Sequence, residues 1–286
     1  MRRYTIHMKY TIITDSCCNF YKRDITTKNV DFISVPLTLI VGDQEFVDDE
    51  SLDTTEFIKI MGEYNGHARS ACPSPQAFYD AMVTGDNIIV ITISSKLSGT
   101  YASAFTAAEM LRTNFPEKKL FLVDSLSAAA GEDYLVIELL KLIEENKYTF
   151  DEITVKLSEI RAKHRVRFLL QDLSNLVKNG RMSKMAGKIL TTARIKLICG
   201  EDGKGEIKKY AMSMGTKRGL CTLAELPAKE ISKDMPICIA HVHNEEDATF
   251  LKNILKVKHG FKNISIRLMR GLSTLYSADK GIVIAY

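Results

Sequence analysis

Three apolar runs in the N-terminal half each stop at small oxygen-bearing side chains: TIITDS at Asp15 and Ser16, ITISS at Ser94 and Ser95, and FLVDS at Asp124 and Ser125. If these runs are parallel strands, their carboxyl ends form the edge at which open α/β sheets bind ligands. Ser94 to Gly99 also precedes a stretch with helical spacing, so the free N–H groups of a helix N-terminus there would favour a carboxylate or a phosphate. One such set is ordinary turn and cap chemistry, whereas three together point to a site. The loop Arg69-Ser70-Ala71-Cys72-Pro73-Ser74-Pro75 adds a stiff, hydroxyl-bearing segment, which taken alone reads as a proline-rigidified connection.

Two other constellations could do chemistry. His241-x-His243 would place two imidazoles on one face of a strand at a spacing that suits a metal, but the acidic Glu245, Glu246 and Asp247 that follow suit a helix start, so no metal is expected. The adjacent Cys17 and Cys18 read as small buried hydrophobes at a strand end, because vicinal cysteines pair only with strain. Arg161, Lys163, His164, Arg165 and Arg167 form a basic cluster without the aromatic neighbours that stack on bases, and read as a solvated helix face. No G-x-S-x-G elbow, phosphate-binding loop, G-x-G-x-x-G or H-E-x-x-H occurs, so catalysis has no signature here and a binding protein is expected.

The elements that must hold these residues follow from the apolar pattern. Strand-like runs at 10–14, 88–94 and 120–124, separated by helical stretches, are βαβ grammar and predict a parallel, Rossmann-like sheet. Tyr101, Ala104, Phe105, Ala108 and Leu111 form one stripe of a helix opening near Gly99, and residues 134–146 and 151–163 read as further helices. From 172 the pattern changes to a short helix, a break at Asn179-Gly180, a second helix capped by Ser183, and a hairpin in IKLICGEDGKGEIKKYAM. Strands at 236–242, 264–269 and 281–286 with a helix near 245–258 complete a mixed-sheet α/β half. The expected division is 1–165 for the parallel-sheet domain and 166–286 for the mixed-sheet domain.

With 39 Lys+Arg against 35 Asp+Glu, the net charge of +4 is too small to announce a nucleic-acid surface. No apolar run is long enough to span a bilayer and the start lacks an unbroken apolar core, so a cytoplasmic protein is expected, its six scattered cysteines reduced.

Several segments in order resemble the DegV family: TIITDS, SVPLTLIVGDQEFVDD, SACPSP, ISSKLSGTYASA, VDSLSAAAG and DLSNLVKNGRMSKMAGKIL, over about residue 10 to the C-terminus. The resemblance implies a two-domain carrier without catalytic activity or cofactor. One long-chain fatty acid would lie between the domains and within the second, its carboxylate presented to a separate kinase subunit that makes acyl phosphate. Carried over by motif, the head-group ligands would be Ser70 and a serine of the Ser94-Ser95 pair, with Gly99 at the helix start. Thr274 would stand where the family has a histidine, Tyr276, Ser277 and Ala278 would replace its Gly-Pro-Gly, and Arg181 would be the basic residue facing the kinase. An acyl chain gains about 0.8 kcal/mol per buried CH₂, so a slot lined by residues such as Leu169, Leu170, Ile189 and Leu190 needs few polar contacts. The competing readings are a serine-dependent acyl hydrolase or transferase, a nucleic-acid or regulatory module built on the basic cluster, and an interaction protein that has lost its lipid.

Overall fold

The computed structural model describes residues 8–182 and 195–286. The chain begins with β1 (Tyr10–Asp15), β2 (Val30–Val35), β3 (Thr38–Val41), β4 (Gln44–Val47), α1 (Thr54–Glu63) and β5 (Arg69–Ala71). Then come α2 (Pro75–Met82), β6 (Asn87–Thr92), α3 (Thr100–Asn114), β7 (Lys119–Asp124), α4 (Ala130–Glu144) and α5 (Phe150–Lys163). The remainder supplies β8 (Val166–Leu169), α6 (Ser174–Lys178), β9 (Ile195–Glu201), β10 (Ile207–Met214), α7 (Thr216–Glu230) and β11 (Ile237–His241). It ends with α8 (Glu245–Asn253), β12 (Ile264–Leu268), α9 (Gly271–Ser277) and β13 (Ile282–Ala285).

The first sheet has the order β2-β1-β6-β7 and is parallel throughout. Helices cover both of its faces, and β1 is accordingly buried at every position. On one side α2 and α3 pack Phe78, Met82, Ala104, Ala108 and Leu111 against Ile13, Ile88 and Val90. On the other, α4 and α5 pack Tyr134, Leu135, Leu139 and Leu157 against Ile12, Ile89 and Ile91. The stiff loop after β5 is functional as a helix start: Ser74 Oγ accepts from Ala77 N at 3.2 Å and Pro75 opens α2.

The second sheet has six strands in the order β10-β9-β8-β13-β11-β12, antiparallel except for the β11–β12 pair. A short antiparallel sheet, β4-β3-β5, lies apart from both. The halves interlock, since α4 packs beneath β11 and β13 while α9 packs on α1 and β3. Their polar junction centres on Arg270, whose guanidinium donates to the carbonyls of Phe20 and Asp48 and to Ser34 Oγ at 2.8 to 3.2 Å. The Asp48 carboxylate in turn accepts from the N–H groups of Gly271 and Leu272, both at 2.8 Å.

Candidate functional site

At the carboxyl ends of the parallel strands, between the two larger sheets, lies a cavity of about 820 Å³, part of it open to solvent. Its wall is mostly apolar, with Leu37, Ile93 and Leu126 from the first half facing Val166, Phe168 and Val283 of the second sheet and Leu170 just beyond β8. A concave, mostly apolar lining with a few polar groups is the usual make-up of a small-molecule site. Leu126 and Ala129, on the loop after β7, take positive φ values of 51° and 52° although neither is glycine. Such backbone is held only where its surroundings over-determine it, and here it turns the loop along the cavity wall.

One rim of the cavity is polar. Ser70 Oγ lies 3.1 Å from Tyr276 Oη, and both line the cavity together with Ser98 and Arg181. The turn after α6 is fastened there by Asn179 Nδ2, which donates to the Ala68 carbonyl at 2.9 Å, and by Arg181 Nε, which donates to the Leu97 carbonyl at 2.9 Å. Arg181 is exposed, as expected of a residue on that turn.

The other expected head-group residues are placed differently. Ser94 is fully buried and its hydroxyl donates to the Gly205 carbonyl at 2.8 Å. The β9–β10 hairpin tip thus covers it, and a Cβ on Gly205 would come within 2.4 Å of that hydroxyl. Ser95 is exposed, with its N–H donating to Asp124 Oδ1 at 3.1 Å. Gly99 caps α3 and lies against the Cys72 thiol, and Thr274 is buried within α9, its hydroxyl on the Met269 carbonyl at 3.4 Å. None of these four is on the cavity wall.

The strand-end carboxylates serve construction. Asp15 accepts from Cys17 N at 2.9 Å and Ile93 N at 2.7 Å, and Asp124 from Ser95 N and Leu126 N, each at 3.1 Å. Of the expected slot residues, Leu170 lines the cavity, whereas Leu169 points into the opposite core with Leu220 and Ile282. Ile189 and Leu190 lie outside the described residues, as does the expected Ser183 cap.

Two expectations need correction. β11 ends at His241, so His243 is off the strand: His241 Nδ1 accepts from Asn244 N while His243 Nε2 meets Thr54 Oγ1 at 2.9 Å. The two residues therefore do not stand on one face of a strand. Nor is the basic cluster one solvated face. Arg167 is buried between Tyr210 and the Glu201 carboxylate, Arg161 Nε donates to the Asp124 carbonyl, and buried His164 stacks on Tyr134. Burial pushes the His164 imidazole down to about 4.

Sequence reasoning did not single out Tyr276 as a ligand, nor Ser98, nor the hairpin residues Glu201, Gly205 and Glu206, which also line the cavity. The local signal for Tyr276 was a glycine replaced by a large amphipathic side chain, next to serines in LSTLYS.

Comparison with known proteins bears on this geometry. The family model of the DegV proteins, described as uncharacterised, matches residues 9–285. A DegV domain-containing protein of Streptococcus pyogenes serotype M1 is 33% identical over 279 residues, which are 98% of this chain and 99% of that one. The crystal structure of the Streptococcus pneumoniae fatty acid kinase (Fak) B3 protein loaded with linoleic acid superimposes with a TM-score of 0.93 at 31% identity, covering 98% and 99% of the two chains. A DegV family protein from Eubacterium eligens loaded with heptadecanoic acid gives 0.90 at 28% identity, covering 96% and 98%. Among the described residues no helix is long and apolar enough to cross a membrane.

Proposed function

Because this chain belongs to the DegV family, we propose that it binds a single long-chain fatty acid in the inter-sheet cavity and presents the carboxylate to a separate kinase subunit in the cytoplasm. The observation that carries the reading is an apolar cavity whose polar rim gathers hydroxyls and a guanidinium, Ser70, Ser98, Tyr276 and Arg181, at one end. Such a cavity orients an amphiphile: the acyl chain takes the apolar wall, and each hydrogen bond to the charged head contributes about 1.5 to 3 kcal/mol. Tyr276, two residues after Thr274, supplies a donor on the cavity wall. Its phenol and the Ser70 hydroxyl share one hydrogen bond, which leaves one of the two O–H groups free to donate to a carboxylate oxygen.

A carrier is favoured over a serine hydrolase by what the Ser94 hydroxyl touches. An activated serine hydroxyl donates its hydrogen bond to a basic side chain, whereas the Ser94 hydroxyl donates to a backbone carbonyl. The test is native mass spectrometry of the purified protein with fatty-acid titrations. We expect a non-covalent fatty acid in about one-to-one ratio, and a ten- to hundredfold affinity loss in Ser70→Ala combined with Tyr276→Phe, the 1.5 to 3 kcal/mol of one lost charged bond. A native mass equal to the bare 32.1 kDa chain, with no fatty acid taken up on incubation, would overturn the reading.

A further inference from the structure

Beneath the apolar wall, Asp15, Cys17 and Glu132 bring two carboxyl groups and a thiol together, one ligand atom from each lying within 4.8 Å of the others. Asp15 ends β1, Cys17 lies two residues beyond it, and Glu132 comes from the first turn of α4. All three are buried, none more than 2% exposed. Neighbouring buried acids are satisfied: Asp133 accepts from Asn19 N and Nδ2 at 2.7 and 2.8 Å, and Asp48 from two backbone N–H groups. Glu132 is the exception: its carboxyl group meets the Cys17 thiol, and no other group among the described residues meets either of its oxygens in hydrogen-bond geometry. Buried polar groups are hydrogen-bonded as a rule, and buried charges are paired or coordinate metal ions.

We propose that Asp15, Cys17 and Glu132 form a buried site for one divalent cation of the zinc type. Two carboxylate oxygens and a thiolate are the donor set of a borderline-soft ion, and three protein ligands leave one position of a tetrahedron for water. Each Asp15 oxygen takes only one backbone N–H and keeps lone pairs for a metal. Three anionic donors around a divalent ion leave one negative charge, and Arg270 acts on both Asp15 and Glu132 as the nearby countercharge. Cys17 is also part of the cavity wall, so the cavity gives an ion its path to the site. Binding displaces to solvent the thiol proton and any proton that burial keeps on the Asp15 and Glu132 carboxyl groups as the metal–sulfur and metal–oxygen bonds form, and no electron is transferred.

The experiment uses the full chain, stripped with a chelator and titrated with Zn²⁺ and separately with Co²⁺. We expect one ion per chain and, for Co²⁺, a thiolate-to-metal charge-transfer band in the near ultraviolet. Cys17→Ser should abolish the band, and Glu132→Gln should weaken Zn²⁺ binding by at least the roughly tenfold that loss of a supporting contact costs a metal site. Cys72→Ser, at an exposed thiol, should change neither. Failure of the wild-type chain to retain Zn²⁺ or develop the band overturns the proposal. So does retention that Cys17→Ser and Glu132→Gln leave intact, or a band lost in Cys72→Ser. If Cys17→Ser does not fold, the wild-type cobalt spectrum and Glu132→Gln decide. No fatty acid enters the readout, so this result stands apart from the lipid-carrier reading.

Discussion

The two larger sheets are joined along seams of opposite character. One seam is dense and polar, with Arg270 and Asp48 cross-linked to Asn19, Phe20 and Ser34 and to the N–H groups that open α9. The other is apolar and incompletely filled, leaving a cavity walled by residues of both halves and partly open to solvent. Apolar packing is non-directional and would close a gap if the sheets were free to approach. The polar seam, being directional and largely buried, holds them at a set separation. The rigidity of one seam thus allows the other to remain open.

The most severe way to break this comparison is Arg270→Ala. Removing one member of a buried charged network costs about 3 to 5 kcal/mol, and urea unfolding should show a loss of that order. A loss below about 1 kcal/mol would mean that the polar seam holds little, and the contrast would fail.

A second measurement asks how dry the junction is. His164, between α5 and β8, titrates at about 4 in the folded state against 6.5 for the free imidazole. Between these values the unfolded chain binds the extra proton, so stability rises with pH through the window and falls on acidification. The depression corresponds to about 3 kcal/mol at full effect. His164→Phe, which keeps a ring against Tyr134, should remove that slope between pH 4 and 6.5 in paired unfolding curves. Equal slopes in the two proteins would place water at His164.

The apolar seam is tested by Val283→Phe, which fills the cavity from β13. Fatty-acid affinity should drop at least about tenfold, 1.4 kcal/mol, while unfolding free energy changes by less than about 1 kcal/mol, below the usual 1 to 3 kcal/mol of overpacking. A destabilisation well above that would show the seam to be a packed core. The smallest effect on binding is expected at the rim. Arg181→Ala should keep affinity within about threefold, under 1 kcal/mol, while acyl-phosphate formation with a cognate kinase subunit drops about tenfold. Equal losses in both assays would make Arg181 a head-group ligand.

The two seams were also unequally legible. Parallel strands β1, β6 and β7 announce themselves because strands buried on both faces are continuous apolar runs. The sheet β4-β3-β5 does not, since Gln44, Glu45, Arg69 and Ser70 interrupt short strands with polar side chains. Helix α9 is seven residues long and opens on Gly271, too little for a periodic stripe to be visible. Ser70 and Arg181 could be chosen from their local motifs. Tyr276 could not, because what makes it part of the rim is Ser70, 206 residues away. The Arg270–Asp48 junction was hidden for the same reason, and the buried Arg167 because residues 161–167 continue one charged run past the end of α5 into β8.

The Asp48 carboxylate has a consequence for how this chain is made. Its partners, Gly271 and Leu272, come more than two hundred residues later. While the chain is still on the ribosome, the parallel sheet can form, since domains fold as units from the N-terminal side. Yet Asp48, Asn19 and the Phe20 carbonyl then face water where the finished protein has Arg270. Synthesis therefore passes through a long interval in which the first half is folded but unsealed, and the cavity gains its second wall only as the last strands arrive.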